Sequence, residues 1–131
     1  MSLFEDHERE LKAALDGIVS RVISTALPSG AHLIEIDDYP LVPGWNREKT
    51  RLLFIAPPGY PSAQPDSFWV EPVGLRLANG DTPKNSNDSN PIPEVGQRGT
   101  WFSWHVQDWR PNRDTLTTYL KVIRDRLDPP R

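Results

Sequence analysis

The sequence predicts an α+β fold, on three observations. Helical periodicity is confined to the two ends of the chain, and short runs rich in β-branched, leucine and aromatic residues lie between them. Fourteen prolines, about twice the average usage, imply stiff irregular connections over a sheet and argue against a helical bundle. The 131 residues make one domain's worth of chain, with no internal repeat and no compositional boundary, so 1–131 is expected to form a single unit.

The first element expected is an amphipathic helix over residues 2–27, within an N-terminal segment 1–30. Leu11, Ala14, Leu15, Ile18, Val19, Val22, Ile23 and Ala26 recur at helical spacing, and Glu10, Lys12, Asp16 and Arg21 stand between them. Ser2 and Glu5 have the spacing of a capping box, and Pro28-Ser29-Gly30 supplies a stop. Residues 31–78 follow as a four-stranded antiparallel meander. Its strands are expected at Ala31–Asp37, Thr50–Ala56, Phe68–Glu71 and, more briefly, Leu75–Ala78 before the turn signal Asn79-Gly80. The connector 38–49 suits a long hairpin turn, and the four prolines of 57–66 forbid a ladder there.

Residues 79–99 are almost wholly polar, proline and glycine, and read as a long surface loop, mobile at its centre. In the last segment, 100–131, Leu116, Tyr119, Leu120, Ile123 and Leu127 form one helical stripe. Asn112 or Asp114 is its candidate cap, Pro129-Pro130 ends it, and the helix is expected to cross the sheet.

Composition excludes several function classes. The chain has no cysteine, so disulfides, thiolate metal sites and a cysteine nucleophile are all ruled out. A net charge of −3 speaks against a nucleic-acid binder. No apolar run spans a bilayer, and the acidic start (Glu5, Asp6, Glu8, Glu10) is unlike a signal peptide. Neither a nucleophile elbow nor ligand-spaced metal residues occur. His32 and Asp37, even with Asp38 or His105, lack such spacing, so no metal and no cofactor are expected.

Charge is unevenly placed: residues 1–27 carry five acids against three bases, and residues 110–131 six bases against three acids. Two solvated helix faces explain this, as does a steered partner site on the first helix at Glu8 and Glu10.

Four stretches in order carry a resemblance. They are Tyr39-Pro40-Leu41-Val42-Pro43-Gly44, then Pro57-Pro58-Gly59-Tyr60-Pro61 with Pro65, then Leu77-Ala78-Asn79-Gly80, and lastly the tryptophan-rich Trp101–Pro111 ending in Trp109-Arg110-Pro111. Together with the closing helix and Asp128-Pro129, they resemble the ubiquitin-conjugating (UBC) superfamily, most closely the UBC-like proteins called prokaryotic E-type, over roughly residues 31–131. The resemblance implies a UBC-like fold in which Tyr60, Pro61, Pro65, Trp109 and Pro111 are structural. It implies a cytoplasmic place in a bacterial ubiquitin-like conjugation pathway. The implied partners are a ubiquitin-like protein, an activating-enzyme-like protein and a deconjugating metalloprotease.

The chain departs from the superfamily where the chemistry lies. Active conjugating enzymes carry the ubiquitin-like protein on a cysteine whose offset from the Trp-x-Pro tryptophan falls here on Trp101, and their oxyanion-holding asparagine falls at Pro93, with Asn87 and Asn90 nearby. Three readings remain. In one, the protein is a non-covalent adaptor with Trp101 and Trp104 as partner-binding residues. In another, Ser103 or Thr100 carries an oxyester with His105 as base, since an alcohol needs help that a thiol does not. On one continuous strand Ser103 and His105 would share a face. The same residues also read as loop hydroxyls and a structural histidine. The third reading, an RWD-like interaction scaffold, is opposed by the Trp101–Pro111 match.

Overall fold

In the computed structural model, which describes residues 2–131, two helices lie on one face of an antiparallel sheet of six strands. The first helix, α1 (Leu3–Leu15), opens with the capping box the sequence announces: the Ser2 side chain accepts from Glu5 N–H, and the Glu5 carboxylate accepts from Ser2 N–H. It stops twelve residues short of the expected end. Gly17 adopts φ +77°, and the chain then enters β1 (Arg21–Ala26), paired in register with the next strand. The segment expected as the second half of a helix is therefore the sheet's first strand. Its Val22, Ile23 and Thr25 are β-branched and suited to a pleated surface.

β2 (His32–Pro40) and β3 (Lys49–Ala56) form the centre, with a register shift between Ile36 and Tyr39 where Asp38 takes φ +58°. β4 (Ser67–Glu71) pairs with β3, and then the order departs from a meander. Leu75–Ala78 is not a strand; only Leu77 bridges, to Trp45. Instead β5 (Ser86–Asn87) and β6 (Thr100–Ser103) complete the order β1-β2-β3-β4-β6-β5, so four expected strands become six. Residues 79–99 thus are not wholly a surface loop, since they hold β5 and the buried Ile92. The last helix, α2 (Leu116–Leu127), is capped by Thr115 rather than Asn112 or Asp114, its hydroxyl accepting from Thr117 and Thr118 N–H.

Alternation along the strands divides the core in two. Ile34, Ile36, Leu52, Phe54, Phe68, Val70 and Phe102 meet Leu11 and Leu15 of α1 and Leu116, Tyr119, Ile123 and Leu127 of α2. On the opposite face Leu33, Leu53 and Trp69 are covered by Ile92, carried on residues 91–96. The rest of that outer face is a charged lattice. Arg51 reaches Asp37 at 2.7 Å and Glu71 at 2.9 Å, and Arg98 joins Glu71 at 2.8 Å to Glu35 at 3.2 Å.

The connector 41–48 is clasped to the end of α2. The Trp45 indole donates to the Leu127 carbonyl at 2.9 Å, and Gly44 lies so close to Pro130 that a Cβ there would sit 2.8 Å from its ring.

Candidate functional site

Of the residues singled out around position 101, Thr100, Trp101 and Ser103 stand on β6, which pairs with β4. Val70 faces Thr100, Trp69 faces Trp101, Phe68 faces Phe102 and Ser67 faces Ser103. Gly99 admits this approach, because a Cβ there would lie 2.6 Å from the Val70 carbonyl oxygen. Strand alternation then decides each side chain's fate.

Thr100 points inward and is fully buried. Its hydroxyl donates to Asp88 at 2.6 Å and accepts from Gly74 and Leu75 N–H at 3.0 and 3.1 Å. Every hydrogen-bonding position of that oxygen is taken, which leaves it no lone pair for attack. Asp88 also accepts from Arg76 at 2.5 Å, and this pairing, aided by Thr100 and Gly74, holds its carboxyl below the usual carboxylate range despite burial. Asp88 and Arg76 are the site's unannounced members; nothing in a polar loop marked one aspartate among its neighbours.

Trp101 points to the outer face, half-buried against the cluster of Leu33, Leu53, Trp69 and Ile92. It also lines a hollow of about 540 Å³ with Asn85, Ser86, Asn87 and Ser103. Asn90 turns its carbonyl to the Trp69 indole at 2.8 Å, Asn87 accepts from Ser89 N–H, and Pro93 stands exposed on the covering loop. Thus Pro93, where an asparagine would be expected, lines neither hollow that Trp101 or Ser103 lines.

Ser103 ends β6 and is exposed; Trp104 and His105 lie beyond the strand, so the shared strand face expected of Ser103 and His105 does not form. Both nevertheless line one hollow of about 450 Å³ with Trp104, Val106, Gln107, Val122 and Asp125. A hydroxyl, an imidazole and a carboxylate share its lining, with no hydrogen bond between them. Trp104 is half-buried: its carbonyl accepts from Tyr119 O–H at 2.7 Å, and the Arg126 and Arg131 guanidinium groups stand 5.5 and 5.9 Å from its ring centre. Arg126, one of the six bases of residues 110–131, is buried to 1% exposure; burial first, and Arg131 second, lower its pKa to about 10.

Glu8 and Glu10 are both engaged within the chain. Glu8 accepts from the Ser24 hydroxyl and pairs with Lys12, and Glu10 accepts from the Thr115 hydroxyl at 2.7 Å, which lowers its pKa. The two acids thereby tie α1 to β1 and to the cap of α2. Around the Tyr60-Pro61 turn, Tyr60 O–H lies 2.6 Å from His7 Nδ1, and burial raises its pKa. Trp109 donates its indole N–H to the Pro61 carbonyl at 2.7 Å and stands 6.1 Å from the Tyr60 ring. Pro111 and Asp114 complete the corner, the Asp114 carboxylate accepting from Arg110 N–H at 2.8 Å. His32 is stacked on Phe4 at 3.8 Å, and no group of three or more potential metal-ligating side chains occurs among the described residues. Among the same residues no helix is long and apolar enough to cross a membrane.

No curated protein and no solved structure matches the chain. The family model described as Prokaryotic E2 family E matches residues 6–129, nearly the whole length, from within α1 to just past α2. That match supports a role in ubiquitin-like conjugation and dealings with ubiquitin-like proteins and their activating enzymes, at the level of the family. By this match over residues 6–129, the chain belongs to prokaryotic E2 family E.

Proposed function

We propose that this protein, with a UBC-like fold, serves a bacterial ubiquitin-like conjugation pathway as a non-covalent adaptor. It binds an activating-enzyme-like protein or a ubiquitin-like protein through the surface around Trp101 and Trp104. The observation that carries this reading is Trp101 itself. It stands eight positions before Trp109, where active conjugating enzymes keep their cysteine, and it is a half-buried strand residue in a chain without any cysteine. An indole cannot form a thioester, but a half-exposed one is a common anchor for a partner.

A second reading rests on Ser103. It is exposed and shares a hollow with His105 and Asp125, the residue types that activate an alcohol. In this reading the Ser103 oxygen carries the ubiquitin-like protein as an oxyester.

One experiment separates the two. The protein is incubated with ATP and the activating-enzyme-like and ubiquitin-like proteins encoded beside it, then measured by intact mass and by sizing chromatography. The adaptor reading expects unchanged mass, co-elution with a partner, and binding about tenfold or more weaker for Trp101→Phe, which retains an aromatic ring in the outer cluster. An adduct resistant to thiol, released by hydroxylamine and lost in Ser103→Ala overturns the adaptor in favour of the oxyester. Neither adduct nor co-elution overturns both.

A further inference from the structure

Residues 91–96 do more than cover the outer face. Where they approach the β3–β4 connection they leave a hollow of about 370 Å³, with Ile55, Pro58, Trp69 and Pro93 among its apolar lining and Asp66 and Glu94 as its acids. No lysine or arginine lines it. Elsewhere on this face the acids are neutralised, Glu35, Asp37 and Glu71 by Arg21, Arg51 and Arg98. Among the described residues, Asp66 and Glu94 have no such cation.

The two carboxylates differ in how they are held. Asp66 is exposed. Glu94 stands at φ +67° and accepts two hydrogen bonds from Ser29, from its N–H at 3.0 Å and its hydroxyl at 2.5 Å. Neutral donors orient a carboxylate without cancelling its charge. The hollow therefore combines apolar walls with uncompensated negative charge, a combination that selects neither an anion nor a purely apolar group.

We propose that this hollow docks a polypeptide segment bearing an aliphatic or aromatic side chain beside a lysine or arginine. The apolar group enters against Ile55, Pro58 and Trp69, and the cation meets Asp66 and Glu94. The hollow shares no lining residue with the one at Ser103 and His105, so its test does not depend on the conjugation reading.

The full chain, isotope-labelled, is titrated with three capped pentapeptides while the Ile55 methyl and Trp69 indole N–H signals are followed by NMR. One peptide has leucine between lysine and arginine; the second replaces both cations by glutamate; the third replaces the leucine by serine. Saturable shifts with the first peptide alone are expected. Asp66→Lys, a change at an exposed site, should weaken that binding by about tenfold, and Ser29→Ala, which removes one of the two donors that hold Glu94, by less. Saturation by the glutamate peptide, equal affinity in Asp66→Lys, or no saturable shift with any peptide overturns the proposal.

Discussion

Asp88 shows how one side chain can organise a strand entry. It accepts from Arg76, from the buried Thr100 hydroxyl and from Gly74 N–H, and its folded pKa lies below the ordinary carboxylate value. A carboxyl with a lowered folded pKa stabilises the fold above its unfolded value of about 3.9, and this contribution is lost as pH falls through the folded value. Asp88→Asn should therefore lower stability by about 1–2 kcal/mol at neutral pH, where three charge-assisted bonds weaken or are lost. It should also flatten the acid limb of a series of thermal melts between about pH 2 and 6. An unchanged acid limb would assign that pH dependence to other acids. Thr100 also marks the limit of sequence legibility at this scale. Its hydroxyl beside position 101 was visible, but which way it points depends on the pairing of β6 with β4. Four residues following a polar loop carry too little periodicity to announce that pairing.

At the scale of elements, α1 and β1 share a stretch whose pattern fits a helix throughout. Leu11, Leu15, Val19 and Val22 are spaced for one helical face and all do reach the same core. They reach it through two different backbones, because Gly17 turns the chain and β1 returns as the neighbour of β2. Periodicity reports which face is buried, and over this stretch it could not report how the backbone gets there. The other end of α1 was legible in full, since capping chemistry is local. Glu10 joins this element to α2 through Thr115. Glu10→Ala should cost about 0.5–1 kcal/mol, small because the bond is exposed, and should raise amide exchange in the first turn of α2 more than in the sheet. Equal exchange would mean that the Thr115 cap stands without its acid.

At the scale of the whole molecule, the α+β class and the central hairpins follow from apolar runs bounded by proline and glycine, and they were legible as such. The swap that puts β6 between β4 and β5, and the passage of Ile92 onto the outer face, were not. Both depend on contacts between residues far apart in a segment whose composition resembles any loop. The same separation in sequence gives the Trp45 clasp a meaning in time. Most of the sheet is made of neighbouring strands that can pair by short loop closures. The indole of Trp45 and the carbonyl of Leu127 stand 82 residues apart and meet only once α2 has docked. Such a contact is expected to be absent from the folding barrier and to act on the way out. Trp45→Phe, which removes the donor and keeps a smaller ring, should leave the refolding rate nearly unchanged and speed unfolding by at least about fivefold, the share of a bond worth about 1 kcal/mol before the lost packing is added. In stopped-flow chevrons, slowed refolding would mean instead that α2 closes first. With unchanged refolding, the clasp acts as a latch that sets how long the folded molecule lasts.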